Sequence, residues 1–327
     1  EVCSIGVFFN STFIILMCKT NGFQNSFGII CAGSCTANCI VLLLACSWTV
    51  LVLIFDAPLS NSLAARAVGQ VTNSMYYASI MMHLFMAVNR FWAIRFPTKY
   101  AIHFERKQAV IGVVSICAIT LLASIENYFD GCGYLFNVST YLWQFQNSHC
   151  GQILQNYFDL SYSLVTLGAM TVFDLLTLLK LHHYNKQLHK KIIAAPYLNR
   201  QNLSARRKEV QLFLQSCACG CIYIVSVLFF HLSPKFITSK WGRFFSLTVV
   251  WLCAHSLDGI TLVAFHWKYS RNGYAQKESH LQTVIPKQQS TSKRRNSFTR
   301  DSTANRSTNF YNSLPDENDC HVSSPVV

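Results

Sequence analysis

The side chains of this sequence able to do chemistry are few, and most sit in apolar surroundings. Asn89-Arg90-Phe91 closes a long apolar run, which leaves its helix at Pro97 and continues through Lys99 and Tyr100 into a basic loop. His83 lies two turns before Arg90; His255 and Asp258 stand three apart in the last apolar run, on one helical face; Asn10 and Asn38 interrupt the first two runs; Asp159 and Asp174 lie in the fifth. A charge inside an apolar helix is costly unless it snorkels or finds a partner, so such residues mark function by default. The chemistry that suits them is ion pairing and switching. Arg90 is expected to act as a switch at a helix end, held at rest by Glu209 at the foot of the sixth run, and Asp174 to pair with Lys180 or a polar neighbour. Asn10, Asn38, His255 and Asp258 are expected to form a polar network, with Asn38 or Asn10 beside Asp258. His83, His231, His255 and Asp258 also match zinc-ligand types, as in a membrane hydrolase, but His83 belongs near one end of the bundle and His231 near the other. No residue is given a catalytic role, and no metal or cofactor is called for.

The elements that must position these residues are long apolar stretches. The 327 residues are 51% hydrophobic and only 13% charged, which excludes an ordinary pair of soluble domains and points to a membrane domain with a polar tail. Seven runs approach the ~20 residues a bilayer requires: about Val2 to Cys18, Phe27 to Phe55, Val68 to Ile94, Gln108 to Tyr128, Tyr157 to Leu181, Val210 to Leu232 and Phe244 to Trp267. All the prolines fall in the intervening loops or the tail, Pro234 among them. The first run is slightly short and no basic signal-peptide region precedes it, which predicts a truncated first helix. A net charge of +13 would suggest nucleic acid in a soluble protein; here it sets topology, and nucleic acid is not expected as a partner. With the N-terminus outside, only Arg66, Lys235, Lys240 and Arg243 of the 27 Lys and Arg lie outside, as the positive-inside bias demands. The expected fold is an all-α seven-transmembrane helix bundle over residues 1–271, followed by a disordered Ser/Thr/Asn-rich cytoplasmic tail, 272–327.

Most of the 14 Cys behave as small apolar residues within the runs, Cys217-x-Cys219-x-Cys221 included. Cys132 and Cys150 differ: they flank an aromatic loop placed outside, where a bond between them would make a compact lid. Asn137-Val138-Ser139 in that loop is a glycosylation sequon. Beneath the lid, Asn73, Tyr76, Tyr77, Phe229, Phe230 and Phe245 are candidates to line a small-molecule cavity. At the other end, the segment from His182 to Glu209, with Arg206, Arg207 and Lys208, suits either anionic lipid or an acidic partner. Ser297, preceded by Arg294-Arg295, is a candidate phosphorylation site in the tail.

Seven runs, an Arg at the inner end of the third and a Ser/Thr-rich tail resemble the G-protein-coupled receptors. More narrowly, Asn89-Arg90-Phe91-Trp92-Ala93-Ile94 with Pro97 and Tyr100, Asn25-Ser26-Phe27-Gly28, and His255-Ser256-Leu257-Asp258-Gly259 look like the nematode serpentine chemoreceptors of class X. The resemblance covers about Val2 to Arg271. It implies a plasma-membrane receptor of sensory cilia that binds a small molecule and activates a heterotrimeric G protein, with kinase and arrestin acting on the tail. By resemblance, Asn89, Arg90 and Phe91 hold the places of the wider family's Asp/Glu-Arg-Tyr. Asn38 holds that of its second-helix Asp, and Asp258 that of the Asn in Asn-Pro-x-x-Tyr. The kink prolines of helices six and seven, the fourth-helix Trp and a Cys at the top of helix three are absent. A channel or transporter is the remaining alternative, without the internal repeat or broken helices that transporters often carry.

Overall fold

The computed structural model describes residues 1–19, 25–55, 60–194 and 199–265. The chain divides into two units, Glu1–Arg271 and Asn272–Val327, and the described residues all belong to the first. Helices dominate it: α1 Val2–Lys19, α2 Ser26–Phe55, α3 Leu63–Arg95, α4 Pro97–His103 and α5 Arg106–Ala123. After a hairpin of strands β1 Tyr134–Asn137 and β2 Leu142–Phe145 come α6 His149–Ile153, α7 Leu160–Ala194 and α8 Asn199–Phe236. Then follow α9 Lys240–Arg243 and α10, residues 250–265. Two π stretches, Leu154–Asp159 and Phe244–Val249, join α6 to α7 and α9 to α10 into continuous rods.

Among the described residues, six helical rods are long and apolar enough to cross a bilayer by length and composition. α3, expected as the third of seven, is not among them: at ~50 Å it has ample length, but Arg66, Gln70, Asn73, Ser74, Ser79, His83, Asn89 and Arg90 dilute its hydropathy. The reason is its position. α3 packs against α2, α5, α7 and α8, and it joins all three apolar clusters through Met75, through Met82 and Met86, and through Ile80 and Ala87. Its polar groups therefore meet other helices. The peripheral α5 has the opposite character, exposing Ile111, Val114, Ile119 and Leu122 and burying only Ala109 and Thr120. An apolar surface of that kind suits lipid.

Three local expectations are corrected. Pro97 does not open a loop: its fixed φ and missing N–H suit a first helical turn, and it begins α4. Pro234 lies inside α8, two residues from its end, where loss of one backbone hydrogen bond is tolerable. The fold is not all-α, because the lid contains a hairpin: β1 and β2 pair antiparallel from Tyr134 opposite Phe145 to Asn137 opposite Leu142. The hairpin turn places Tyr141 at φ +62°, a left-handed conformation that costs an L-residue ~1–2 kcal/mol. Tyr141 is held there by its carbonyl, which accepts from Thr248 Oγ1 at 3.3 Å, and by Lys240, whose Nζ lies 3.8 Å from the ring centroid.

Candidate functional site

The lid is positioned from three sides. The disulfide Cys132–Cys150 closes its base, with Gly131 at φ +82° just before it. Trp143 Nε1 donates to Thr49 Oγ1 of α2 (3.2 Å), and Tyr134 N–H donates to Asn127 Oδ1 (2.6 Å). Gly69 of α3 lets β1 come close, because a Cβ there would run into the Tyr134 carbonyl. Tyr134, Leu135, Phe136, Trp143 and Phe145 are thereby buried against Val41, Ala45, Trp48 and Met75. Burial holds the Tyr134 phenol above its ordinary pKa, so it stays neutral.

Beneath the lid lies a narrow cavity of about 10 Å³, lined by Asn73, Tyr76, Tyr134, Phe145, Asp159, Ser226, Phe230 and Trp251. Of the cavity residues expected from sequence, Asn73, Tyr76 and Phe230 line it. Tyr77 is buried behind Tyr76 and stacks edge-on against Tyr162. Phe229 and Phe245 do not belong: both are exposed on the outside of their helices, because aromatic spacing alone does not say which face turns inward. Asp159, marked in the sequence as an ionisable group but not placed in the cavity, lines it together with Tyr134, Phe145, Ser226 and Trp251, which were not expected there either. Asp159 ends the π stretch of the α6–α7 rod and is buried, its Oδ2 3.6 Å from His231 Nε2. Its signal was available, since it is an ionisable group in an apolar run.

At mid-bundle, Asp258 of α10 and Asn38 of α2 share a hydrogen bond, Nδ2 donating to Oδ2 at 2.7 Å. His83 Nε2 lies 3.2 Å from the same carboxylate oxygen, and Ser34 Oγ donates to it at 3.3 Å. Asn38 Oδ1 accepts from Ser79 (2.8 Å) and Tyr223 (3.3 Å), and lies 2.7 Å from His255 Nδ1. Asn10 bonds the His255 carbonyl at 3.2 Å and thus borders the cluster without reaching Asp258. Groups from α2, α3, α8 and α10 therefore meet at one amide and one carboxylate. His83 and His255 are members, while His231 stands beside Asp159 under the lid, so the four candidate zinc ligands do not come together.

At the end opposite the hairpin, Arg90 pairs with Asp174 of α7 at 3.0 Å and donates to Ser216 Oγ of α8. Its guanidinium carbon lies 5.9 Å from the Phe27 ring centroid. Asp174 thus meets Arg90 across helices instead of Lys180 on its own. Asn89 donates to Ser26 Oγ (3.1 Å) and accepts from the Tyr100 hydroxyl (3.3 Å), which ties α3, α2 and α4 together. Phe91 faces Phe173, ring centroids 5.5 Å apart. The side chains of Arg206, Arg207, Lys208 and Glu209, and all of Ser297, lie outside the described residues. Asn137 caps the hairpin turn, its Oδ1 accepting from Ser139 N–H and Oγ.

Membrane-length rods around a polar central helix, lidded at one end and ion-paired at the other, define a multi-pass membrane protein. The model of the family "Serpentine type 7TM GPCR chemoreceptor Srx" matches residues 1–266, and the chain belongs to that family. It is 23% identical over 291 residues to serpentine receptor class X 45 of Caenorhabditis elegans, covering 82% of this chain and 80% of that relative. The family is one of receptors, and membership gives this chain a chemosensory, GPCR-like character.

Proposed function

We propose that this protein is a G-protein-coupled chemosensory receptor of the plasma membrane, with α3 as the third of seven spans and the N-terminus outside. The hairpin, with its disulfide and sequon, then faces the oxidising exterior, and the basic segment beyond His182 faces the cytoplasm. A small molecule enters under the hairpin, among α3, α7, α8 and α10. It favours a state in which the Arg90 end of α8 moves away from α3 and α7, releasing Ser216, loosening the Arg90–Asp174 pair and exposing Arg90 to a heterotrimeric G protein.

The observation that carries this reading is that α3 connects the two ends. Asn73 and Tyr76 line the cavity, and Arg90 of the same rigid helix joins α7 and α8 on the opposite side. The test is G-protein activation in cells expressing the chain, against a panel of small organic odorants, with wild type and Arg90→Ala at equal surface expression. The response is expected to vanish in Arg90→Ala. A ligand-gated current that persists in the variant and under G-protein blockade would instead make the protein a channel.

A further inference from the structure

Asp159 takes no part in the Arg90 pairing or the Asp258 cluster. It is 3% exposed, and its carboxylate forms part of the cavity wall. A basic neighbour among the described residues, His231, stands at 3.6 Å, and its Nε2 makes no hydrogen bond. Asn73 Nδ2 in the cavity wall is buried without a close hydrogen bond, and the Tyr77 hydroxyl lies between the Asp159 carboxylate and Asn73, interacting with both. The rest of the wall is largely aromatic, with Tyr76, Tyr134, Phe230 and Trp251. A carboxylate kept from water among ring faces recognises an organic cation, because both the charge and the ring quadrupoles attract it. An anion would meet Asp159 as a like charge, and a neutral molecule would leave a desolvated carboxylate poorly compensated.

We propose that this cavity takes a small organic ammonium ion, with Asp159 as its counter-ion and Tyr76, Tyr134, Phe230 and Trp251 as its walls. The proposal names the ligand class of the receptor reading above and rests on that reading. In this closed form the cavity has room for about one water and His231 stands beside the carboxylate without a hydrogen bond to it; the ammonium enters beside Asp159 as the hairpin lifts. The two π stretches flank the site, one ending at Asp159 and the other two residues before Trp251, as π turns often do at functional sites.

The test is thermal unfolding of the full chain in lipid nanodiscs with three probes of one branched shape. These are choline (cationic), 3,3-dimethylbutan-1-ol (neutral) and 3,3-dimethylbutanoate (anionic). Choline is expected to stabilise wild type at roughly tenfold lower concentration than the alcohol, and the acid to have no effect. The preference should fall to parity in Asp159→Asn and survive in Asp159→Glu and His231→Gln. Parity of choline and the alcohol on wild type, or no shift with choline at roughly 10 mM, overturns the proposal. That comparison needs no variant, so poor folding of Asp159→Asn leaves it decisive. Choline preference without any G-protein response to choline or the odorant panel would sink the receptor reading and leave the cation site standing. An odorant response with probe parity would do the reverse.

Discussion

Arg90 shows how one residue's role depends on what surrounds it. A guanidinium within a helical bundle is unstable alone; here it has a carboxylate at 3.0 Å on α7 and a hydroxyl on α8, two helices that must separate for a partner to enter. Asp174→Ala removes the carboxylate while leaving Arg90 in place. Ligand-independent G-protein activation in cells is therefore expected to rise several-fold, whereas Arg90→Ala silences it. Asp258 is a different kind of residue. It is fully buried, and Asn38, His83 and Ser34 all converge on one of its oxygens. Replacing it with Ala leaves those groups without their acceptor, and stability measured by thermal unfolding in detergent should drop by about 3 kcal/mol. Asp258→Asn keeps an acceptor oxygen and should lose less.

Among elements, α3 and the hairpin depend on each other. The hairpin alone would be marginal, as two-stranded hairpins are in water. It persists because five of its aromatic and aliphatic side chains are buried on α2 and α3, and because Gly69 lets the Tyr134 backbone approach. Gly69→Ala is expected to push β1 off α3 while leaving the helices intact. Hydrogen exchange should then speed up at Tyr134–Phe145 with an unchanged far-ultraviolet helical signal; unchanged exchange would show that the close approach is dispensable. The disulfide acts on the same element through chain entropy. The double change Cys132→Ser, Cys150→Ser releases a closure spanning 18 residues, worth ~3 kcal/mol in the chain-entropy estimate. It should loosen the hairpin in the same exchange experiment without altering the Arg90 end.

For the whole molecule, the question is which end faces the cytoplasm. The Lys and Arg residues cluster between His182 and Glu209, while the loop between Phe129 and Asn156 has none. With the hairpin outside, Asn137 is open to glycosylation, and its sequon sits in an accessible turn. Protein from eukaryotic cells should show a glycosidase-sensitive mass shift that Asn137→Gln removes. An epitope placed at Lys186 should be reached by antibody only after permeabilisation; staining of intact cells would reverse the orientation.

Read alone, the chain already determined most of its helices, because membrane spans are written in local apolar composition and loops in their charge. The membrane-crossing runs, the Cys132–Cys150 pairing and the family resemblance all rest on such local signals. Tertiary structure decided the rest. For Asp174 two partners are open in the sequence, Lys180 on its own helix or a polar group on a neighbour, and packing selects the neighbour: Arg90, 84 positions away in the chain. Phe229 and Phe245, cavity candidates by sequence, face outward, while Asp159, an ionisable group in an apolar run, lines the cavity wall. Composition can state that a helix is apolar enough to be buried in lipid or protein. Which of its faces turns toward its neighbours, and which charge waits there, depends on residues brought together across the bundle, and only the packed structure specifies that.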